Sequence, residues 1–270
     1  MSSCFNVTNG VRQGGILSPL LFSVYMDDLS VLLNSSKVGC VLNGITTNHL
    51  MYADDTCLLA PSPAALQQLL RICSEFAISN SVVFNESKTK LMCYRSRFQS
   101  SLQIPDITLN GLTLTVVHEY KYLGILLQSN QSDESDMKRH VKGIYTRGNM
   151  LVSRFKNCSA NVKKHLFQAY CSNAYGSQLW SNYKKSVYQK VKVAYNDVYR
   201  KLFNIQRGES ISAIFVLNQV DTFCILRRKL MYSFKSRLSR SENQLIRTIL
   251  EADNFATSSI SAEWQRSLYV

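Results

Sequence analysis

The sequence predicts an α+β protein in which a mixed first half precedes an all-helical second half. Short apolar runs and Asn-Gly turns alternate with helical spacing up to about residue 127. From Ser132 onward Pro is absent and apolar residues recur at helical intervals. Charge divides similarly: residues 1–135 hold 8 basic and 10 acidic side chains, and residues 136–270 hold 23 and 8. We therefore expect two domains, 1–130 and 131–270.

Turn residues and apolar spacing place the elements of the first half. Ser18 is the expected N-cap of its first helix, because Pro19 suits a first turn. The predicted elements are a strand at 5–8, a helix at 18–33, a hairpin at 49–60, a helix from Pro63 to Ala77, strands at 82–84 and 89–94, a hairpin about Asn110-Gly111 and a strand at 121–127. The predicted helices of the second half are 133–156, 160–178, 184–205 and 221–240.

Composition excludes several classes of protein. A chain of 270 residues with 46% hydrophobic residues can bury a core. Its 8 Cys residues lack the spacing of a disulfide framework or a zinc ribbon, which favours reduced thiols in the cytoplasm or nucleus. No apolar run approaches the roughly 20 residues of a membrane span, and the N-terminus does not resemble a signal peptide. We expect a protein that is neither secreted nor bound to a membrane.

The strongest candidate site is Tyr52-Ala53-Asp54-Asp55, two adjacent carboxylates between short apolar runs. An isolated Asp-Asp pair is more often a solvated turn, since Asp tolerates turn geometry. On an exposed hairpin the same pair could bind a divalent cation. The neighbouring motifs decide between these interpretations.

A second acidic pair lies in Tyr25-Met26-Asp27-Asp28, which has the same order of a Tyr, one intervening residue and two Asp residues. These residues fall inside the helix predicted at 18–33 and no turn flanks them. We therefore interpret Asp27 and Asp28 as polar helix positions.

Two further sets of residues are given structural interpretations. Cys158, His165 and Cys171 match no common zinc spacing and lack an evident fourth ligand. Three aromatic residues of the second half are expected to be core rather than base-stacking residues; they are Trp180, Tyr195 and Phe203.

Four motifs occur in order over residues 10–124. Gly10-Val11-Arg12-Gln13-Gly14 and Leu17-Ser18-Pro19-Leu20-Leu21-Phe22 precede the residue-52 hairpin; Asn85 with Lys88-Thr89, and Tyr122-Leu123-Gly124, follow it. This series resembles the reverse transcriptases of non-LTR retrotransposons. The helical remainder, with Tyr175-Gly176 and Leu179-Trp180, resembles the thumb and following region of jockey/CR1-like elements.

The resemblance implies RNA-directed DNA polymerase chemistry. Two Mg²⁺ ions about 3.5–4 Å apart would activate the primer hydroxyl and stabilise the leaving pyrophosphate. Asp54 and Asp55 would be metal ligands, and Lys88 would donate a proton to the pyrophosphate or neutralise its charge. The implied partners are an RNA template, a DNA primer and deoxynucleoside triphosphates.

The resemblance also assigns binding residues. Arg12, Gln13 and Gly14 would contact the incoming nucleotide or templating base, and Tyr52 and Ala53 would shape the turn. Tyr122, Leu123 and Gly124 would brace the primer, although packing within a strand explains Tyr122 and Leu123 nearly as well. For Lys88, an exposed position in a turn is nearly as good an explanation. Basic residues expected to contact a duplex backbone are Arg139, Lys142, Arg147, Arg154, Lys156, Lys163 and Lys164.

The family has fingers and a palm strand with another essential Asp ahead of the residue-10 block. Because this sequence begins nine residues before that block, we expect a truncated polymerase: a partial palm followed by a thumb-like helical region. The isolated chain should then be inactive. The alternative is a non-catalytic nucleic-acid-binding remnant that acts through its basic half.

Overall fold

The computed structural model describes residues 14–94 and 104–268. Backbone contacts divide them into two compact units. The first takes its residues from Met1–Leu91 and Ser100–Val116, and the second from Met92–Gln99 and Val117–Val270. The predicted strand at 5–8 lies outside the described residues.

The first unit combines two helices with short strand pairs. Four of its strands form antiparallel hairpins in sequence, β1 with β2 and β3 with β4; a further hairpin joins β6 to β7, and β5 pairs in parallel with β8. The elements are α1 (Ser18–Ser35), β1 (Cys40–Leu42), β2 (Ile45–Thr47), β3 (His49–Tyr52), β4 (Asp55–Leu58), α2 (Pro63–Ser79), β5 (Lys90–Leu91), β6 (Thr108–Leu109), β7 (Leu112–Thr113) and β8 (Thr115–Val116).

The core of this unit lies between the two helices. Leu29 and Leu33 of α1 and Leu69 of α2 are fully buried there. Helix α2 begins where Ser62 accepts a hydrogen bond from the amide of Ala65. A second apolar cluster joins α2 to the later hairpin through Leu70, Ile107, Leu109 and Leu114. The predicted helices and hairpins of this half are therefore confirmed.

Three local predictions for the first unit were wrong. The N-cap of α1 is Leu17, so Ser18 is the first helical residue. Residues 82–84 form no strand, and the predicted strand at 89–94 shrinks to Lys90–Leu91. Short β-branched or aromatic runs favour strands only where a partner strand lies alongside, and Val83 is 89% exposed.

The second unit is helical apart from one hairpin. Its elements are β9 (Glu119–Tyr122), β10 (Ile125–Gln128), α3 (Glu134–Arg154), α4 (Ala160–Tyr170), α5 (Lys185–Phe203), α6 (Ile211–Leu217), α7 (Phe223–Ser239), α8 (Gln244–Glu251) and α9 (Ser259–Leu268), with a 3₁₀ turn at Ser177–Leu179. The helices predicted near 133–156, 184–205 and 221–240 are confirmed. The one predicted at 160–178 ends at Tyr170, and α6, α8 and α9 were not predicted.

Aromatic side chains form much of the core of the helical unit. Phe167 of α4 packs against Tyr195 and Tyr199 of α5, with ring centroids 4.9 Å apart in both pairs. Trp180 is 1% exposed and Tyr195 is 0% exposed, and Phe203 packs against the same cluster. Their assignment as core residues is confirmed.

Asp136 of α3 joins the hairpin to the helices. Its Oδ1 accepts from the amide of Leu126 in β10 at 3.0 Å and from Arg139, whereas its Oδ2 accepts from Trp180 Nε1 at 2.8 Å. With three kinds of donor this carboxylate, which is 1% exposed, is well satisfied in the interior.

No helix among the described residues is both long and apolar enough to cross a membrane.

The contact of α3 with α5 predicts opposite effects for two glycines of α3. A Cβ at Gly148 would lie 2.4 Å from Val198 Cγ1, a β-branched side chain that cannot rotate away. We expect Gly148→Ala to destabilise the protein by about 1–3 kcal/mol in a thermal melt followed by circular dichroism. At Gly143 the nearest atom is the mobile end of Arg147 at 3.2 Å, so Gly143→Ala should be neutral or stabilising by up to about 1 kcal/mol. Equal melts for both variants would contradict this packing.

Because His140 of α3 is buried, we expect the folded state to become less stable as the pH falls. Burial lowers its pKa to about 4, against a smaller opposing effect of Asp136. In the unfolded chain this histidine binds a proton near pH 6.5, whereas in the folded chain it does so only near pH 4. The folded state therefore becomes less stable as the pH falls from about 6.5 to about 4.

We expect the protein to lose up to about 3 kcal/mol between those two pH values in urea unfolding. His140→Phe should reduce this slope. His165→Phe, at an exposed position on α4, should leave the slope as it is in the unsubstituted chain. An unchanged slope in His140→Phe would show that other groups cause the loss.

Candidate active site

The acidic pair lies on a tight hairpin of the first unit. Tyr52 pairs with Asp55 as the last residue pair of β3 and β4, so Ala53 and Asp54 alone form the turn. The predicted hairpin is confirmed, with one refinement: Asp54 occupies the bend and Asp55 is the first residue of β4. A two-residue turn presents both carboxylates at one end of the hairpin.

Ala53 has a left-handed backbone conformation, with φ of +52°. An L residue with a Cβ is strained there by roughly 1–2 kcal/mol, a conformation that glycine would adopt freely. Positive φ angles are usual in two-residue hairpin turns, but most such turns use Gly, Asn or Asp rather than Ala. The surrounding hairpin pairing must therefore stabilise a turn that Ala alone would not favour.

Both carboxylates face solvent. Asp54, Asp55 and Tyr52 are exposed, and neither carboxylate accepts a hydrogen bond or forms an ion pair within the described residues. Their oxygens are consequently available to a ligand. Carboxylate oxygens are the donors that Mg²⁺ prefers, so the pair suits such an ion chemically.

A complete metal cage needs more than this pair. Nowhere in residues 14–94 and 104–268 do three or more His, Cys, Asp or Glu side chains come together in a group that could bind a metal ion. The hairpin therefore supplies two carboxylates, and the described residues add no third ligand of these types.

Asn48 anchors the base of the hairpin to α1, a role that the sequence analysis missed. Its Nδ2 donates to the carbonyls of Leu33 at 2.6 Å and Val38 at 2.7 Å, and its own carbonyl accepts from the amide of Leu59. A Cβ at Gly39 would lie 2.6 Å from the Asn48 Cβ, so this close approach requires glycine. The only signal in the sequence was a polar residue directly before an apolar strand.

His49 adds a second tie to α1. Its Nε2 lies 2.8 Å from Ser30 Oγ and its Nδ1 lies 2.7 Å from Asn48 Oδ1. Burial lowers the His49 pKa, which favours the neutral ring in this network. The hairpin that presents Asp54 is thereby fixed at the end opposite to its turn.

The remaining predicted residues of the first unit have simpler surroundings. Asp27 and Asp28 are exposed positions within α1, as predicted. Gly14 has φ of +79°, which requires glycine, whereas Arg12 and Gln13 lie outside the described residues. Lys88 is exposed in a turn organised by Asn85, whose Oδ1 accepts from the amide of Lys88 at 3.0 Å.

Tyr122, Leu123 and Gly124 belong to the second unit and do not form the single strand predicted at 121–127. Tyr122 ends β9, and Leu123 and Gly124, with φ of +45° and +82°, form a two-residue hairpin turn into β10. The error has a physical origin: a Leu-Gly pair adopts the positive φ angles of a tight turn without the Asn that usually marks one.

Tyr175 packs against this turn. Its hydroxyl donates to the carbonyl of Leu123 at 3.1 Å, and a Cβ at Gly124 would lie 3.3 Å from its ring. The turn is therefore fixed by a residue about fifty positions later, within the segment that resembles the jockey/CR1-like thumb region.

The predicted backbone-contacting residues differ in availability. Arg139 already donates to Asp136, and Arg147 is half-buried. Lys142, Arg154 and Lys156 are exposed, and Lys163 and Lys164 are half-buried. Their contact with a nucleic acid stays a prediction, and the bond to Asp136 makes Arg139 the least free of them.

Comparison with known proteins finds a family that the first half of the chain resembles. Residues 3–127 match the family model described as reverse transcriptase (RNA-dependent DNA polymerase). This range, just under half of the chain, is similar to reverse transcriptases. The matched range contains the acidic hairpin and all four motifs, and the resemblance to the enzymes of jockey-type non-LTR retrotransposons is confirmed.

Two relatives extend this likeness into the helical unit. An RNA-directed DNA polymerase from the mobile element jockey of Drosophila funebris is 27% identical over 220 residues, 74% of this chain and 22% of the relative. A probable RNA-directed DNA polymerase from transposon BS of Drosophila melanogaster is 28% identical over 258 residues, 90% and 28% of the two chains. The chain thus spans less than a third of the length of these relatives.

The two acidic pairs predict a difference in metal binding. We expect weak binding of Mn²⁺, used as a paramagnetic substitute for Mg²⁺, that falls at least about 10-fold in Asp54→Asn/Asp55→Asn. The matched control is Asp27→Asn/Asp28→Asn, which removes the same charge from α1. Electron paramagnetic resonance of free Mn²⁺ measures both variants. Equal losses would show that the ion responds to net charge and not to the hairpin.

Proposed function

We propose that this chain is part of an RNA-directed DNA polymerase and does not polymerise by itself; the partners of that polymerase would be an RNA template, a DNA primer and deoxynucleoside triphosphates. One observation carries the proposal: within the family-matched range, two exposed carboxylates lie at the tip of a hairpin with a two-residue turn, and neither accepts a hydrogen bond from the residues that the structure describes. An exposed carboxylate that accepts no hydrogen bond adds little to the stability of the fold, but it is available to bind a cation.

Asp54 and Asp55 are the proposed metal ligands. Bound Mg²⁺ would activate the primer hydroxyl and stabilise charge on the leaving pyrophosphate. The chain's own contribution is positional: the anchors at Asn48 and His49 hold the base of the hairpin, so the turn presents both carboxylates together. Lys88 is the proposed source of a proton or a positive charge for the pyrophosphate.

The helical unit is the proposed thumb-like part. The turn at Leu123 and Gly124, fixed by Tyr175, would brace the primer. Exposed Lys142, Arg154 and Lys156 would contact the duplex backbone, which positions the substrate without reading its sequence. All seven cysteines of the described residues are free thiols, which fits a cytoplasmic or nuclear protein.

A non-catalytic nucleic-acid-binding role is the second candidate. It is favoured by the excess of 15 positive charges in residues 136–270 and by the lack of a third metal-ligating side chain near the acidic pair among the described residues. This role needs the helical unit but not Asp54.

Primer extension tests the polymerase proposal. We expect the purified chain to bind an oligo(dT) primer on a poly(rA) template, with log affinity falling linearly against log salt. We expect negligible extension by the chain alone in Mg²⁺ or Mn²⁺, because two carboxylates bind the ions weakly.

The outcomes separate the two candidates. Incorporation that vanishes in Asp54→Ala would overturn the prediction of inactivity and identify the site. If Asp54→Ala binds the duplex with the same salt dependence as the unsubstituted chain, and no Mn²⁺ binds at the hairpin, the non-catalytic binding role is supported and the polymerase proposal is rejected. Failure to bind the duplex at low salt would contradict both.

A further inference from the structure

The solvent face of α7 is an unassigned basic surface. The sequence of the helix, Phe223–Ser239, contains five basic residues and no carboxylate. An ordinary solvated helix face mixes both signs of charge, because neighbouring charges of one sign repel each other. A face of a single sign is instead typical of a surface that meets a polyanion.

Helical spacing arranges this face in a row. Arg228, Tyr232 and Ser236 follow one another at intervals of four residues along one ridge of α7, and Arg240, the C-cap residue, continues the same interval at the end of the helix. Each interval spans about 6 Å, so the two arginines lie about 18 Å apart along the axis. The three at positions 228, 232 and 240 are exposed, and Ser236 is half-exposed.

Two other basic residues of α7 are already bound within the protein. Arg227 is buried and bonded to Glu263, and Lys229 forms an ion pair with Asp221 at 2.5 Å. Arg228 and Arg240, by contrast, form no ion pair within the described part of the chain. These two guanidinium groups are therefore available to phosphates.

Tyr232 is the aromatic residue of the row. Its side chain is 69% exposed, so burial does not explain an aromatic residue here. Proteins that bind single strands combine basic side chains for the backbone with aromatic rings on which unpaired bases stack. Bases in a duplex are already stacked and do not offer such a face to a ring on a helix surface.

We propose that this α7 face binds a single-stranded nucleic acid, with a base stacked on Tyr232 and phosphates contacted by Arg228 and Arg240. A lipid surface fits less well, because a helix lying in a membrane interface needs a broad apolar face, and this row offers one aromatic ring. The inference goes beyond the polymerase proposal, since it requires neither a metal nor the acidic hairpin.

Substitutions at Tyr232 test the stacking. Affinity for a fluorescein-labelled oligouridine is measured by anisotropy with the full chain. We expect Tyr232→Ala to weaken binding about 5- to 100-fold and Tyr232→Phe, which retains the ring, to keep most of the affinity. Binding of an RNA–DNA duplex should not change in either variant. Oligouridine affinity unaltered by Tyr232→Ala would overturn the proposal, as would equal losses for single strand and duplex.

Charge variants test the phosphate contacts. Arg228→Ala/Arg240→Ala should reduce the slope of log affinity against log salt by about 1.4, or 0.7 for each lost contact. Lys185→Ala/Lys190→Ala removes the same charge from exposed positions of α5 and should leave the slope as it was. Equal effects of the two pairs would contradict a local site.

Two controls separate this proposal from its alternatives. All these positions are exposed, so circular dichroism melts should match the unsubstituted chain. Tighter binding to phosphatidylserine vesicles than to oligouridine would instead assign the face to a membrane. Loss of duplex binding in the α7 variants with unchanged single-strand binding would also reject it, whereas the absence of Mn²⁺ at Asp54 would affect only the polymerase proposal.

Discussion

The helical unit depends on one buried cation. Arg227 of α7 is 3% exposed and donates from Nε to Ser177, from Nη2 to Trp180 and from Nη1 to Tyr183, while its charge is met by Glu263 of α9 at 2.9 Å. A guanidinium satisfied on every side fixes the loop before α5, α7 and α9 relative to one another. Removal of Glu263 would leave the buried charge of Arg227 uncompensated, which typically costs about 3–5 kcal/mol, whereas Glu263 has a second ion-pair partner in Arg266. The bond therefore specifies how three segments meet more than it adds to stability.

The acidic hairpin follows the opposite principle. Its base is tied by the buried Asn48 and the half-buried His49, whereas its tip carries exposed carboxylates and a strained Ala53. Strain and unpaired charge persist only where the surrounding structure determines them, and here hydrogen bonds to α1 do so. This division between a fixed base and an exposed tip is what a metal-binding hairpin requires, because ligand geometry must be set before the ion arrives.

Sequence reasoning succeeded where a signal was local and failed where it was not. The start of a helix at Pro63, the Asn110-Gly111 turn and the acidic hairpin were all marked by nearby residues, and each was predicted. Leu123-Gly124 was taken as strand because only its distant contact with Tyr175 and its positive φ angles reveal a turn. Likewise Arg139 and Arg227 count as surface charge in composition, and only their contacts with Asp136 and Glu263 show that they act within the fold.

Asp136 makes the hairpin of β9 and β10 and the helix α3 move together. Its Oδ1 accepts from the amide of Leu126 and its Oδ2 from Trp180, so the hairpin cannot slide along the helix without breaking a buried hydrogen bond. Gln128 Oε1, which accepts from the amide of Ser135, adds a second attachment. Any movement of the Leu123–Gly124 turn would therefore displace α3 together with the hairpin. Any adjustment of this unit to a bound strand would have to come from rotation of the whole body, not from bending at the hairpin.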